Sequence, residues 1–133
     1  MNQSSIIRNG FILAGIVNIA GVLLFTQAFT SPVLAETYPA VFSDFGMIAI
    51  MLWGLAYIAM ANHYQQVPWM AMVFFIEKMV YVISWVVWIC ADNTDLAMLL
   101  EQSPLQGLFF VIYGANDLLF GCVFLWAFLD ARK

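Results

Sequence analysis

Four polar side chains, Asn18, Glu77, Lys78 and Asp117, each stand near the middle of a long apolar run. An ionisable side chain in hydrocarbon costs about 2.5–3.5 kcal/mol on insertion scales, so such residues are rare, and they pair with one another or mark a pathway or site. Counted from the chain end or turn at which each run begins or closes, Asn18 and Asp117 lie about twelve residues deep and Glu77 and Lys78 about nine or ten. At about 1.5 Å per helical residue, all four fall in one layer. Tyr81 follows Glu77 at i+4 and Ser84 at i+7, while Tyr113 and Asn116 precede Asp117 at i−4 and i−1. Glu77 and Lys78 are adjacent, so they diverge by about 100° around a helix and cannot both face one partner. The expected arrangement pairs Lys78 with Asp117 and leaves Glu77 to bond Asn18, Tyr81 or Tyr113. Fully ionised, Glu77, Lys78 and Asp117 sum to −1, and burial disfavours an unpaired charge, so Glu77 is expected to hold its proton. A neutral acid at that depth can donate a hydrogen bond to a ligand or carry a proton.

The elements that must position these groups follow from composition. Of 133 residues, 65% are apolar and only 9% charged, with a mean hydropathy of +0.93. A soluble domain needs roughly 25% charged residues to cover its surface. Helices of about 20 apolar residues span a bilayer, and the chain offers spans over 6–29, 40–61, 68–91 and 104–129, with 1–133 read as one transmembrane domain. Pro39, Pro68 and Pro104 stand at or just before a span, where a first helical turn tolerates proline. Barrel strands alternate polar and apolar residues, and these runs do not. The expected fold is therefore all-α, an integral membrane four-helix bundle with short loops. Leu96 to Leu100, in the third linker, is expected to form a short interfacial helix.

Orientation follows from the basic residues. Arg8, Arg132 and Lys133 lie at the chain ends, whereas the first and third linkers hold no Lys or Arg. Both termini are expected on the cytoplasmic side. Val33-Leu34-Ala35 looks like a signal-peptidase site, but the first span is long for a signal core, and cleavage is not expected. Asn18 has Gly15 at i−3 and Gly21 at i+3, and Asp117 has Gly114 at i−3 and Gly121 at i+4. Small residues let membrane helices approach closely. Leucine at Gly21 or Gly121 is therefore expected to disturb the bundle more than leucine at Gly54.

Several chemistries are excluded. A net charge of −4 with four Lys and Arg leaves no basic surface for nucleic acid. The only histidine, His63, falls in a turn, and Cys90 and Cys122 are far apart in sequence, so neither a metal site nor a haem is expected. No cofactor is implied. What remains is a polar cluster in apolar surroundings, the usual make-up of a ligand pocket. The expected role is binding a small or lipid-like molecule through Asn18, Glu77, Lys78, Tyr81, Tyr113, Asn116 and Asp117, with Trp53 and Trp85 as candidate walls. Three rivals share these residues: a proton-coupled transporter assembled as a homo-oligomer, a membrane isomerase with Glu77 as acid and Asp117 as base, and a structural subunit of a membrane complex.

The segments R-N-G-F-I-L-A-G-I-V-N, F-S-D-F-G, W-G-L-A-Y, F-F-I-E-K and Y-G-A-N-D-L-L-F together cover much of the chain. In these it resembles the small bacterial membrane proteins of the BphX-like and DoxX-like type. That resemblance implies a four-helix bundle resident in the inner membrane and supplies no catalytic residue.

Overall fold

The computed structural model describes residues 1–133, and the fold is all-α, with no strand. Seven helices follow in order: α1 (Gln3–Phe25), α2 (Val33–Thr37), α3 (Pro39–Phe42), α4 (Asp44–Met60), α5 (Pro68–Ile89), α6 (Leu96–Gln102) and α7 (Pro104–Ala131). By length and composition α1, α5 and α7 can each cross a membrane, which marks a multi-pass membrane protein, while α4 is a shorter apolar helix of 17 residues.

Local chemistry sets the boundaries. Asn2 caps α1 by accepting from the Ser5 amide at 2.9 Å, and Ser43 caps α4 by accepting from Gly46 at 3.2 Å. Proline opens α3, α5 and α7, where its missing N–H is not needed. The expected first span runs on to Phe29, but α1 stops at Phe25. Gln27, Ala28 and Phe29 turn the chain back with φ of 51°, 55° and 64°, a left-handed conformation that costs a non-glycine residue about 1–2 kcal/mol. Hydrogen bonds offset this. The Thr26 hydroxyl donates to the Val22 carbonyl at 2.6 Å and accepts from the Phe29 amide at 3.0 Å. The buried Gln106 amide donates to the Phe25 carbonyl at 3.1 Å. The expected second span is likewise divided, into α3 and α4, because Ser43 leaves helical geometry to cap α4. The short helix expected near Leu96 is α6, capped by Asp95.

The long helices pack antiparallel in two tight pairs, α1 with α4 and α5 with α7, and the pairs join along α1 and α7. Glycine sets the first pair: a Cβ at Gly54 would stand 2.8 Å from the Gly15 carbonyl oxygen and 3.0 Å from Asn18 Cβ. In the second pair Trp85 lies flat on Gly114 and donates its indole N–H to the Phe110 carbonyl at 2.7 Å. Helices α4 and α5 meet instead through side chains, Tyr57 and Trp53 against Phe74.

One end of the bundle carries both termini and the turn at 61–67. There Asp130 accepts from Gln3 at 2.7 Å and from Tyr64 at 3.3 Å, and Arg132 lies 5.4 Å from the Trp69 ring. Burial first, and then the Asp130 carboxylate, push the Tyr64 hydroxyl above the usual tyrosine range. The other end carries α2, α3 and α6, with Glu36, Asp92, Asp95 and Glu101.

Two apolar clusters fill the interior. Near the terminal end, Phe11, Tyr57, Phe74 and Phe124 interlock, with Phe11 and Phe124 centroids 4.8 Å apart. Near the far end, Phe42, Met47, Phe110 and Tyr113 do the same, and Trp88 stacks on Phe110 at 4.4 Å. The polar layer lies between them. The outside is the reverse of a soluble protein: Leu13, Leu52, Leu55, Val80, Ile83 and Leu119 are exposed, while Glu77, Lys78 and Asp117 are buried. So much outward apolar surface demands an apolar surrounding.

Candidate functional site

Lys78, on α5, is the centre of the polar layer and is only 2% exposed. Its ammonium forms an ion pair with Asp117 Oδ1 at 2.7 Å, reaching across to α7. It also donates to Asn18 Oδ1 on α1 at 3.1 Å and lies 5.2 Å from the centre of the Tyr57 ring. Asn18 is held in turn from the α4 side, where its amide donates to the Ile50 carbonyl at 3.0 Å. One lysine thus ties four helices at a single level. The pairing read from depth alone is the pairing observed.

Glu77 is bonded differently from expectation. None of Asn18, Tyr81 or Tyr113 reaches it; its partner is the Tyr57 hydroxyl on α4, which donates to Oε2. Sequence reasoning missed Tyr57, although one signal was present: it lies at i+3 from Gly54, on the face of α4 that must turn inward. Tyr113 instead shares a hydrogen bond with Ser84 at 3.4 Å, and the Asn116 amide lies 3.5 Å from Asp117 Oδ1.

All seven residues singled out from sequence, Asn18, Glu77, Lys78, Tyr81, Tyr113, Asn116 and Asp117, line one cavity of about 100 Å³. Its apolar walls are Val17, Gly21, Val22 and Phe25 of α1, Phe42, Met47 and Ile50 of α3 and α4, and Phe109 and Ile112 of α7. The two candidate wall tryptophans are not among them. Trp53 packs on Phe74 within the terminal-end cluster, and Trp85 is spent on Gly114 and Phe110.

Several cavity-lining polar atoms have no partner within the chain. The Tyr81 hydroxyl makes no hydrogen bond, and neither do Glu77 Oε1 and Asp117 Oδ2, whose sister oxygens carry the bonds to Tyr57 and Lys78. No enclosed side-chain polar atom in the protein is left unbonded. These three are therefore accessible, and the space they line is the cavity. On the side of α1 and α7, its lining residues Val17, Gly21, Ile112 and Asn116 are only partly covered.

Gly21 reverses an expectation. A Cβ there meets nothing within 4 Å, because Gly21 borders the cavity and not a helix. The tight approaches are Gly15 with Gly54, and Gly114 under Trp85; at Gly121 a Cβ would stand 2.5 Å from the flexible end of Met79 and 3.4 Å from Lys78 Cβ. Glycine spacing shows that a face turns inward but not whether a helix or a void lies opposite.

No protein-family model, curated protein or solved structure matches this chain, so the site is read from its own geometry.

Proposed function

We propose that this is a four-span membrane protein that binds a small amphiphilic molecule in the cavity between its helices. The observation that carries the reading is the convergence of three accessible, unpartnered polar atoms, on Glu77, Tyr81 and Asp117, at the middle of an apolar bundle. Leaving such groups without partners away from water is costly, and a stable bundle alone would favour pairing them. The volume limits what fits. A cavity near 150 Å³ holds a benzene, so about 100 Å³ admits a polar head and a few carbons. A longer tail leaves sideways past Gly21, between α1 and α7, into the acyl chains.

In this reading α4 is the remaining span. Its 17 residues reach about 26 Å at ~1.5 Å each, and α3 with Ser43 extends the segment towards the ~30 Å hydrocarbon core. Arg8, Arg132 and Lys133 gather at the end that carries both termini, which supports a cytoplasmic position for that end under the positive-inside rule. The BphX-like and DoxX-like resemblance agrees with inner-membrane residence.

The test is co-purification. Wild-type protein and Gly21→Leu are extracted with their native bilayer into polymer-bounded discs, and the small molecules retained are compared by mass spectrometry. A Cβ at Gly21 meets nothing within 4 Å, so Gly21→Leu directs its side chain into the cavity. At least one amphiphile enriched over bulk lipid in the wild type and lost in the variant is the expected result. Identical profiles overturn the reading.

A further inference from the structure

The free polar atoms of the cavity are not balanced between donors and acceptors, and the imbalance bears on the chemistry of the ligand. This step rests on reading the cavity as a ligand site. Lys78 is its only cationic donor, and two of its protons are directed to Asp117 Oδ1 and Asn18 Oδ1. The free groups include two carboxyl oxygens, Glu77 Oε1 and Asp117 Oδ2, and the Asn116 amide oxygen, with the Tyr81 hydroxyl beside them. The charge count runs the same way: two carboxyl groups face one ammonium. Phe25, Phe42, Phe109 and Tyr113 are also in the lining, and an aromatic ring face attracts a cation and repels an anion.

We infer that the cavity takes a primary alkylammonium, its head donating to Glu77 Oε1, Asp117 Oδ2 and Tyr81 and its tail lying in the slot over Gly21. When such a head binds, Glu77 gives up the proton it is expected to hold in the empty site; two ammonium groups then face two carboxylates, and the buried cluster is neutral. A carboxylate or phosphate head would add a third acidic group with Lys78 already engaged. A neutral alcohol brings one donor where the site offers several acceptors, two of them carboxyl oxygens. The small volume also favours a primary head over a bulky substituted one.

The experiment uses wild-type protein and Gly21→Leu in discs of phosphatidylcholine, which carries no net charge. Binding of octylamine, octanol and octanoate is measured by equilibrium dialysis, with uptake by Gly21→Leu discs subtracted to remove partition into lipid. A hydrogen bond to a charged group is worth enough that octylamine should bind about tenfold or more tighter than either alternative. In Glu77→Gln the preference for amine over alcohol should shrink. Octanol or octanoate binding as tightly as octylamine overturns the inference, as does a preference unchanged by Glu77→Gln, while the cavity remains a ligand site. Absence of octylamine binding above the Gly21→Leu background also overturns it. The broader reading is then judged separately, by co-purification.

Discussion

Lys78 illustrates how a charge is held in hydrocarbon. It is bonded to one carboxylate and one amide, and its stem is enclosed by four helices, so removing either charge strands the other. Breaking a buried pair costs about 3–5 kcal/mol, more than replacing both members. Lys78→Met and Asp117→Asn should therefore each lower thermal stability in detergent sharply, and the double variant should recover part of the loss. Strictly additive losses would show that the two groups do not interact. Tyr57 is the second test at this scale. Tyr57→Phe leaves Glu77 Oε2 without its donor and should cost about 1–3 kcal/mol, measured by denaturant unfolding. Tyr64→Phe, at the turn, removes a 3.3 Å bond to Asp130 and should cost less than about 1 kcal/mol.

Between elements, the contrast is between helices that touch and helices that enclose space. Gly54 lies 2.8 Å, measured from where its Cβ would be, from the Gly15 backbone, and backbone cannot move aside. Gly54→Leu should therefore separate α1 from α4 and prevent recovery of folded protein. Gly21→Leu should fold with a melting temperature near that of the wild type. Comparable losses at both positions would mean that α1 and α7 close where the cavity now lies. The turn after α1 gives an opposite kind of change. Ala28 holds a left-handed conformation at φ 55°, which glycine adopts without a Cβ penalty. Ala28→Gly should stabilise the protein by about 1 kcal/mol, read as a rise in melting temperature.

For the whole molecule, the arrangement of charge predicts an orientation. The hydrogen bonds from Gln3 and Tyr64 to Asp130 bring both termini and the turn at 61–67 to one end, and all four Lys and Arg are either there or in the buried layer. Reporter fusions at Met1 and Lys133 should both report the cytoplasm, and a cysteine at Glu36 or Asn93 should be labelled only from outside. Labelling of Glu36→Cys from the cytoplasmic side would mean that α4 does not cross. Adding two lysines to the segment 92–95 should weaken the orientation, because short-loop basic residues resist translocation.

The sequence alone determined the helical class, the number of apolar segments and the common depth of Asn18, Glu77, Lys78 and Asp117. Each depends only on composition and on rise per residue, which neighbours do not alter. Depth also sufficed to pair Lys78 with Asp117, because a long flexible lysine tolerates errors in angle. Only the tertiary structure decided the partner of Glu77. Residue counting places Tyr57 three residues from the end of α4 and Glu77 nine from the start of α5, which puts their Cα atoms at different levels. Helical side chains tilt towards the N-terminus, however, and α4 and α5 run in opposite directions, so the two reach towards each other and meet. Packing likewise decided that Gly15 touches a helix and Gly21 a cavity, since a glycine three residues along the same helix meets whatever its neighbour's crossing angle leaves there. The end of α1 was hidden for a related reason: three left-handed residues without glycine are held by Thr26 and by Gln106, a residue 80 positions away from Thr26.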